Sequence, residues 1–523
     1  MGLRRPGVLV EVSSLSVVPP LPPSPATFFL VGYAPWGPVN KPVYVGDVKT
    51  ARVAFGEPRS PQDGMWIPRI LDHFLRTSGG NGRAWVVRGF EVEAGQTIDD
   101  YRAVATLTDG TDPALIVKAA WPGELGLTLK VDVIQDSYGR KLIYLWGRYG
   151  VEVLEWSSDR ATMEQRVAEW NQLADALGSD FRLELPATFV PAGPATTTSD
   201  TALLKPSAGA IPLSRPNGVS NLDGASNTFP LSALYGTDAN GNPQGLDVLA
   251  DEVYGPGLVA IPGYAPTATL VNLLDTHART YGRLALVHLM PSGSGPMTAD
   301  QAKSMADSLP RSSYVAYYFP RVYDLDGVLS PLEGFVAGLA AARTGAIDAE
   351  GGVKASITGE LPISDVERVA GREPVKDAEA ELLYSSQINY VRFVRGRGFR
   401  LESQLLSAPE GAISRIHHRN IANYFKYLLT DILQGFRDRT VDGSGALFRD
   451  IHSALSMALD PYGPGKPAPN GNTLWNPAII VSDASIQTEA DLNQGLVHVY
   501  VEAAFSPKAE RIQLYFNVIP VRL

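Results

Sequence analysis

The chain has 523 residues, room for roughly three or four domains, and no cysteine, which excludes disulfides, thiolate metal sites and cysteine nucleophiles. Hydrophobic residues make up 45% and charged residues 19%, the balance of an ordinary folded chain and not of a disordered one. The net charge of −10, broken by no basic run, argues against nucleic acid as a direct partner.

In residues 6–12, Val8, Val10 and Val12 share one face at period two, the pattern of a short strand. Five prolines among residues 17–25 follow, a stiff tether with few backbone donors that also breaks up any signal-peptide helix after Arg4-Arg5. A strand on such a tether has no near partner in sequence, so its hydrogen bonds go to a distant part of the chain or to another chain. No apolar run approaches the ~20 residues of a membrane span.

Thr27–Gly32 reads as a buried strand and Pro42–Val45 as a second. Ile67, Ile70, Leu71, Phe74 and Leu75 recur at helical spacing and predict an amphipathic helix over 66–77. Gly79-Gly80-Asn81-Gly82 stops it, and 84–87 is the next strand, which is βαβ punctuation. Residues 115–156 read as β, with alternation over 127–133 and again near 141–146. The Pro-, Ala-, Thr-, Ser- and Asn-rich stretch 186–230 reads as a surface excursion. Strand and helix then alternate: strand 257–263, helix 266–280, strand 284–289, helix 298–307, strand 314–318. The α/β block that began at 26 resumes there, with a β-rich segment inserted.

The carboxy-terminal third is a different unit. Ile416, Ile421, Phe425, Leu428, Leu429, Ile432 and Phe436 form one stripe of a helix over 414–437, and Phe448, Ile451, Leu455 and Leu459 mark a second, ended by Pro461 and Gly463. Val497, Val499 and Val501, then Ile512, Leu514, Phe516 and Val518, alternate as two closing strands. No repeat of solenoid period is present. The expected fold class is therefore multidomain α/β and α+β, with extended strands at both ends.

No catalytic chemistry stands out. Gly463-Pro464-Gly465-Lys466 lacks the spacing of a phosphate loop, and Gly443-Ser444-Gly445 that of a nucleophile elbow. His417 and His418 point about 100° apart on a helix and cannot share a metal as i, i+4 partners could, so they read as a solvated or interface face. Asp99-Asp100 and Asp324/Asp326 sit among turn residues and read as turn or cap chemistry. Gly79–Gly82 follows a helix, the reverse of an anion cradle. Trp36, Trp66, Trp85 and Trp475 read as core or interface residues. No catalytic residue, cofactor site or metal site is assigned, and no enzyme is expected.

The pieces together resemble contractile tail sheath proteins. The resemblance is carried by Pro6-Gly7-Val8 with Val10 and Glu11, Phe29-Leu30-Val31-Gly32-Tyr33-Ala34 running into Gly37-Pro38-Val39-Asn40-Lys41-Pro42-Val43, and Phe55-Gly56. Asp72-His73-Phe74-Leu75 and Ala84-Trp85-Val86-Val87-Arg88 continue it, then Val259-Ala260-Ile261-Pro262-Gly263, Ala316-Tyr317-Tyr318-Phe319-Pro320 and Gly334-Phe335-Val336-Ala337-Gly338. Arg395-Gly396-Arg397-Gly398, Arg415–Asn420, Trp475-Asn476 and Ala509-Glu510-Arg511-Ile512 close it. Each motif alone is weak; their order along the chain is specific.

The resemblance implies a structural subunit of stacked hexameric rings in a helical lattice around an inner tail tube protein, with baseplate and tail terminator proteins as further partners. The assembly contracts and drives the tube through a target cell envelope, with no cofactor, no direct nucleic-acid contact and no membrane insertion. It implies an arm and linker over 1–25 and an outer α/β domain in two parts, 26–94 and 241–380, around a β-rich insertion at 95–240. An inner carboxy-terminal α+β domain over 381–508 and a strand arm over 509–523 complete it. The arms, carrying Val8, Val10, Val12 and Ile512, Leu514, Phe516, Val518, would add strands to neighbouring subunits. A carboxy-terminal helix would face the tube: Arg449, Asp450 and His452 are the first candidates, Lys426, Arg437 and Arg439 the second group. The location implied is a virion tail assembled in the host cytoplasm. Two other readings stay open: the sheath of a tailocin or extracellular injection particle, and, from another class, a hydrolase with a β-rich insert, which requires a catalytic constellation the sequence does not display.

Overall fold

The computed structural model describes residues 24–508 apart from 59–63, 94, 199–202, 217–218, 220–221, 224–228, 239–240, 292–294, 369–374 and 442–443. Both arm strands, with Val8, Val10, Val12, Ile512, Leu514, Phe516 and Val518, lie outside the described residues. The fold is a mixture of several sheets and ten α-helices among the described residues. The chain divides into two compact units, one holding 31–69 with 86–249, the other 24–30, 70–85 and the chain from 250 on.

In chain order, β1 (Phe28–Gly32) is apolar and buried along its length. β2 (Pro42–Val45) and α1 (Val48–Phe55) follow; Asp47 opens the helix by accepting from the Thr50 N–H at 2.9 Å, and Gly56 closes it at φ 89°. α2 (Ile67–Thr77) and β3 (Ala84–Arg88) stand where the apolar spacing places them. In the first unit β2 neighbours β3, and Val39 bridges Arg88 in parallel.

The first unit then builds two antiparallel sheets from β4 (Val104–Thr108), β5 (Pro113–Ala119), β6 (Lys130–Gln135), β7 (Lys141–Trp146), β8 (Val151–Glu155), β9 (Phe181–Glu184) and β10 (Ile211–Pro212). One has the order β4–β5–β9 and the other β10–β6–β7–β8. The alternation read over 127–133 starts later than expected: Leu127 and Thr128 belong to a 3-10 turn, Glu124–Thr128, and the strand begins at Lys130. Between β8 and β9 runs α3 (Arg160–Asp175), a helix the sequence pattern did not reveal. Met163, Val167, Trp170 and Ala174 recur on it at helical spacing and face the core of this unit, Met163 and Ala174 fully buried, but polar residues fill the rest and leave the stripe narrow. The core of this unit takes in Trp36, 1% exposed, under the Arg148 guanidinium at 4.4 Å from the ring centroid. Arg148 is fixed in turn by Asp180 at 2.8 Å and the Val53 carbonyl at 2.8 Å.

The second unit continues with β11 (Gly257–Ala260), α4 (Ala268–Tyr281), β12 (Arg283–His288), α5 (Ala299–Ser308) and β13 (Val315–Phe319). After β14 (Val322–Asp324) and β15 (Leu329–Ser330) come α6 (Glu333–Thr344), β16 (Gly359–Glu360), β17 (Ile363–Val366), α7 (Asp377–Ser385), β18 (Ile388–Val394) and β19 (Gly398–Leu401). Its large sheet runs β16–β19–β18–β13–β12–β11–β1–β3. β1, β11, β12, β13 and β18 are parallel, and β18–β19–β16 form an antiparallel edge. β11, β12 and β13 are buried at every position, as strands covered on both faces must be.

α6 packs on α2 through two glycines. A Cβ at Gly334 would stand 2.6 Å from the Ile70 carbonyl oxygen, and one at Gly338 2.6 Å from both the Phe74 carbonyl oxygen and the Thr77 Cβ. Alanine in a helix interior normally stabilises by about 1 kcal/mol relative to glycine. Here Gly338→Ala should instead destabilise by about 1–3 kcal/mol, because backbone opposes the added methyl. Chemical denaturation of the two proteins checks the sign; a stabilised variant would show the helices free to part.

Candidate assembly surface

The chain closes with β20 (Leu405–Glu410), β21 (Ile413–Arg415), α8 (Ile416–Gln434), α9 (Ala446–Leu459), β22 (Ile479–Val481), α10 (Glu489–Asn493) and β23 (Tyr500–Glu502). α8 buries Ile421 and Phe425 against Leu459, Tyr462 and Leu474. α9 buries Leu447, Ile451 and Leu455 against α8 and against Ile480, Val497, Val499 and Val501. Both helices are therefore amphipathic for a local reason: the alternate residues of a two-stranded ribbon cover their apolar stripes.

That ribbon is β22 paired antiparallel with β23, Ile480 opposite Val501. Ile480 and Val501 face the helices, while Ile479, 57% exposed, and Tyr500, 55% exposed, face outward. Among the described residues neither strand has a further neighbour. A two-stranded ribbon with unpaired outer edges is marginal by itself and is a template for further strands. Val497 and Val499 pack inward as the alternation requires, but the ladder itself is confined to 500–502. Its partner Ile479–Val481 carries no alternation long enough to read in the sequence.

The candidate polar residues fall outside the apolar stripes. Arg449, Asp450 and His452 lie exposed on α9 and Lys426 on α8; Arg437 and Arg439 lie exposed after its end. The structure brings Arg439 and Asp450 together at 3.2 Å, both about half exposed. Such a pair contributes at most about 1 kcal/mol and is screened by salt. Arg449 donates to the Ser444 carbonyl at 2.8 Å, which steadies it at the helix start. Met457, 74% exposed, and Trp475, 62% exposed, add apolar surface to this region.

One sequence reading needs correction and another needs extension. His417 and His418 are not a solvated face: they are 1% and 9% exposed, with ring centroids 4.1 Å apart. Burial, His418, Lys508 and Arg415 hold the His417 imidazole down at about 3. Asp324 does cap its turn, accepting from the Asp326 and Val328 N–H groups, but it is also 3.0 Å from buried His73, which stacks on Phe335. Asp100 is a cap residue as read, accepting from the Thr97 N–H at 2.7 Å, while Asp99 pairs with Arg102 at 2.7 Å.

Other buried polar groups were invisible in the sequence. Arg321 pairs with Glu367, and the Glu333 carboxylate lies 3.3 Å from the His288 N–H. Burial raises Glu333 to about 7 and lowers His288 to about 3. These groups are 45 or more positions from their partners, so no local spacing announces them. Among the described residues no group of three or more metal-ligating side chains converges, and no helix is long and apolar enough to cross a membrane.

The fold is shared with solved sheath tail proteins over most of the chain. The sheath tail protein of Listeria innocua superposes with a TM-score of 0.53 at 14% identity, covering 92% of this chain and 95% of that one. The sheath tail protein of Desulfitobacterium hafniense gives 0.51 at 14% identity, covering 91% and 93%. A chain of the anti-feeding prophage baseplate matches with a TM-score of 0.49 at 15% identity over 99% of both. No protein-family model matches the chain, and no curated protein does.

Proposed function

We propose that the chain is the structural subunit of a contractile tail sheath, not an enzyme. The observation that carries this is the sheath-tail fold extending over nine-tenths of both chains, read with a carboxy-terminal ribbon whose outer edges are unpaired among the described residues. In this reading subunits stack as hexameric rings around an inner tube, with baseplate and terminator proteins at the ends. Contraction moves subunits as rigid bodies while strand joints keep the lattice connected. The α/β part with its insertion at 95–240 lies outward, and the region from 381 to 508 lies inward. Its place is the tail of a virion, or of a tailocin or extracellular injection particle; the genes beside it separate these.

The tube contact is assigned to the exposed face of α9, with Arg449, Asp450 and His452, before Lys426, Arg437 and Arg439. Negative-stain microscopy of the purified chain, alone and with its tube protein, tests both levels. Sheath-like tubes are the expected result, and a strictly monomeric chain at all concentrations would reject the class. Arg449→Glu should lower tube decoration about tenfold in a salt-sensitive way. Unchanged decoration would remove α9 from the contact and leave the subunit reading in place.

A further inference from the structure

The parallel strands give the large sheet a direction, and its two ends differ in charge. β18 pairs with β13 as far as Tyr390 and from Val391 onward only with β19, so the hairpin reaches beyond the parallel strands. Its tip is Arg395-Gly396-Arg397, exposed, with Gly396 and Gly398 at φ 79° and 70° making the turn. Phe393 and Phe399 brace its base edge to face, 5.4 Å apart. Arg392 is already held by Asp377 at 2.8 Å and Glu402 at 3.2 Å. Arg395 and Arg397 have no ion pair among the described residues.

At the other end, just before β12 begins, a groove of about 420 Å³ opens between α8, the 280–282 turn and residues 251–253. Asp251, Glu252 and Asp431 line it against one base, Lys426, with Tyr281 and Tyr427 as apolar walls. The three carboxylates are exposed and none is in an ion pair among the described residues. Asp251 accepts from the Val253 N–H at 2.9 Å, which fixes its direction. The groove is therefore acidic on balance, with three carboxylates against the Lys426 ammonium and with Arg283 buried behind Asp251.

Because β12, β13 and β18 run parallel, the basic tip and the acidic groove sit at opposite ends of one sheet and cannot meet within one chain. We propose that the Arg395–Arg397 hairpin tip of one copy seats in the Asp251–Glu252–Asp431 groove of a second copy. The contact is head-to-tail, so it propagates into a ring or a helical row instead of closing as a dimer. Complementary charge sets partner choice and encounter rate, and the tyrosine walls exclude water around the guanidinium groups. The kind of polymer rests on the sheath reading above; the contact itself rests on the two charged ends.

The chain has no cysteine, so an engineered pair reports the contact without background. A chain carrying Arg397→Cys with Glu252→Cys, assembled and mildly oxidised, should give a ladder of covalent trimers and longer species on a non-reducing gel. Each single variant should stop at dimers. Assembled protein that gives no ladder overturns the contact. Independently, Arg395→Glu with Arg397→Glu should raise the concentration needed for assembly about tenfold, and adding Glu252→Lys with Asp431→Lys should restore it. If the hairpin variant assembles at the wild-type concentration, or the compensating pair restores nothing, the proposal fails. Wild-type tubes in the same experiment would still leave the sheath reading standing; a wild-type chain that never polymerises overturns both.

Discussion

Removal of residues 1–20 should leave a folded chain that no longer forms tubes. The strand pattern of Val8, Val10 and Val12 is too short to fold alone, and the five prolines after it keep it from doubling back as a helix. The carboxy-terminal ribbon offers what such a strand lacks, an edge unpaired among the described residues, beside the exposed Ile479 and Tyr500 side chains. A short strand addition contributes about 1 kcal/mol per hydrogen bond with further gain from buried valine, so a joint of about 3 kcal/mol is conservative. At about 1.4 kcal/mol per factor of ten, its loss raises the assembly concentration more than a hundredfold. The melting temperature should stay near wild type, since among the described residues the buried core begins after the deletion, at Ala26. Sedimentation and negative-stain microscopy read both quantities. Polymerisation of the truncated chain at the wild-type concentration would show that the arm is not the link.

Acid should weaken the folded subunit well before carboxylates are titrated away. His277, His288 and His417 are buried and held neutral, each lowered from 6.5 to about 3. Burial is the main cause, reinforced by Arg283 beside His277, by Arg321 near His288, and by His418, Lys508 and Arg415 around His417. Above pH 6.5 both folded and unfolded chains leave these rings neutral, and stability does not change through them. Below pH 6.5 the unfolded chain takes up protons that the folded chain refuses, so stability falls by about 1.4 kcal/mol per pH unit for each ring. Glu333 acts the other way. Raised by burial from 4.5 to about 7, it keeps a proton in the folded state that the unfolded state gives up, so its contribution grows as pH falls from 7 to 4.5.

From pH 6.5 to 5 the three histidines remove about 6 kcal/mol and Glu333 returns about 2, a net loss of about 4 kcal/mol. That is a large share of a typical stability of about 5–15 kcal/mol. Urea midpoints at pH 7.5 and 5.0 measure it. His288→Asn should flatten the slope by about one histidine's share, and Glu333→Gln should steepen it. Equal midpoints at the two pH values would mean that the buried rings are not held neutral.

The strands and helices that carry continuous or periodic apolar residues were legible along the chain. Phe28–Gly32, the Ile67–Thr77 helix, the alternation from Gly257 to Phe319 and the two long carboxy-terminal helices all stand within a few residues of their predicted bounds. Their burial is decided by their own composition, since an apolar run has one favourable environment wherever the chain takes it. The same logic made the glycine stop after α2 and the Asp100 cap readable, because each acts on backbone a few residues away.

What could not be read depends on partners distant in sequence. α3 has only a one-residue-wide stripe, Met163, Val167, Trp170 and Ala174, and its Asp159 cap and the sheet it covers settle it as a helix. Ile479–Val481 becomes a strand only because Tyr500–Glu502 arrives beside it. His417 and His418 have the spacing of an exposed helix start, yet the returning segment around Phe505 helps bury them. Asp324 meets His73 across 251 positions, and Glu333 meets the His288 backbone across 45. A polar residue has two acceptable fates, solvated at the surface or paired inside, and its own neighbours in sequence favour neither. Only the packing of remote elements around it selects one, because desolvation acts through every atom that excludes water and not through the chain's local order.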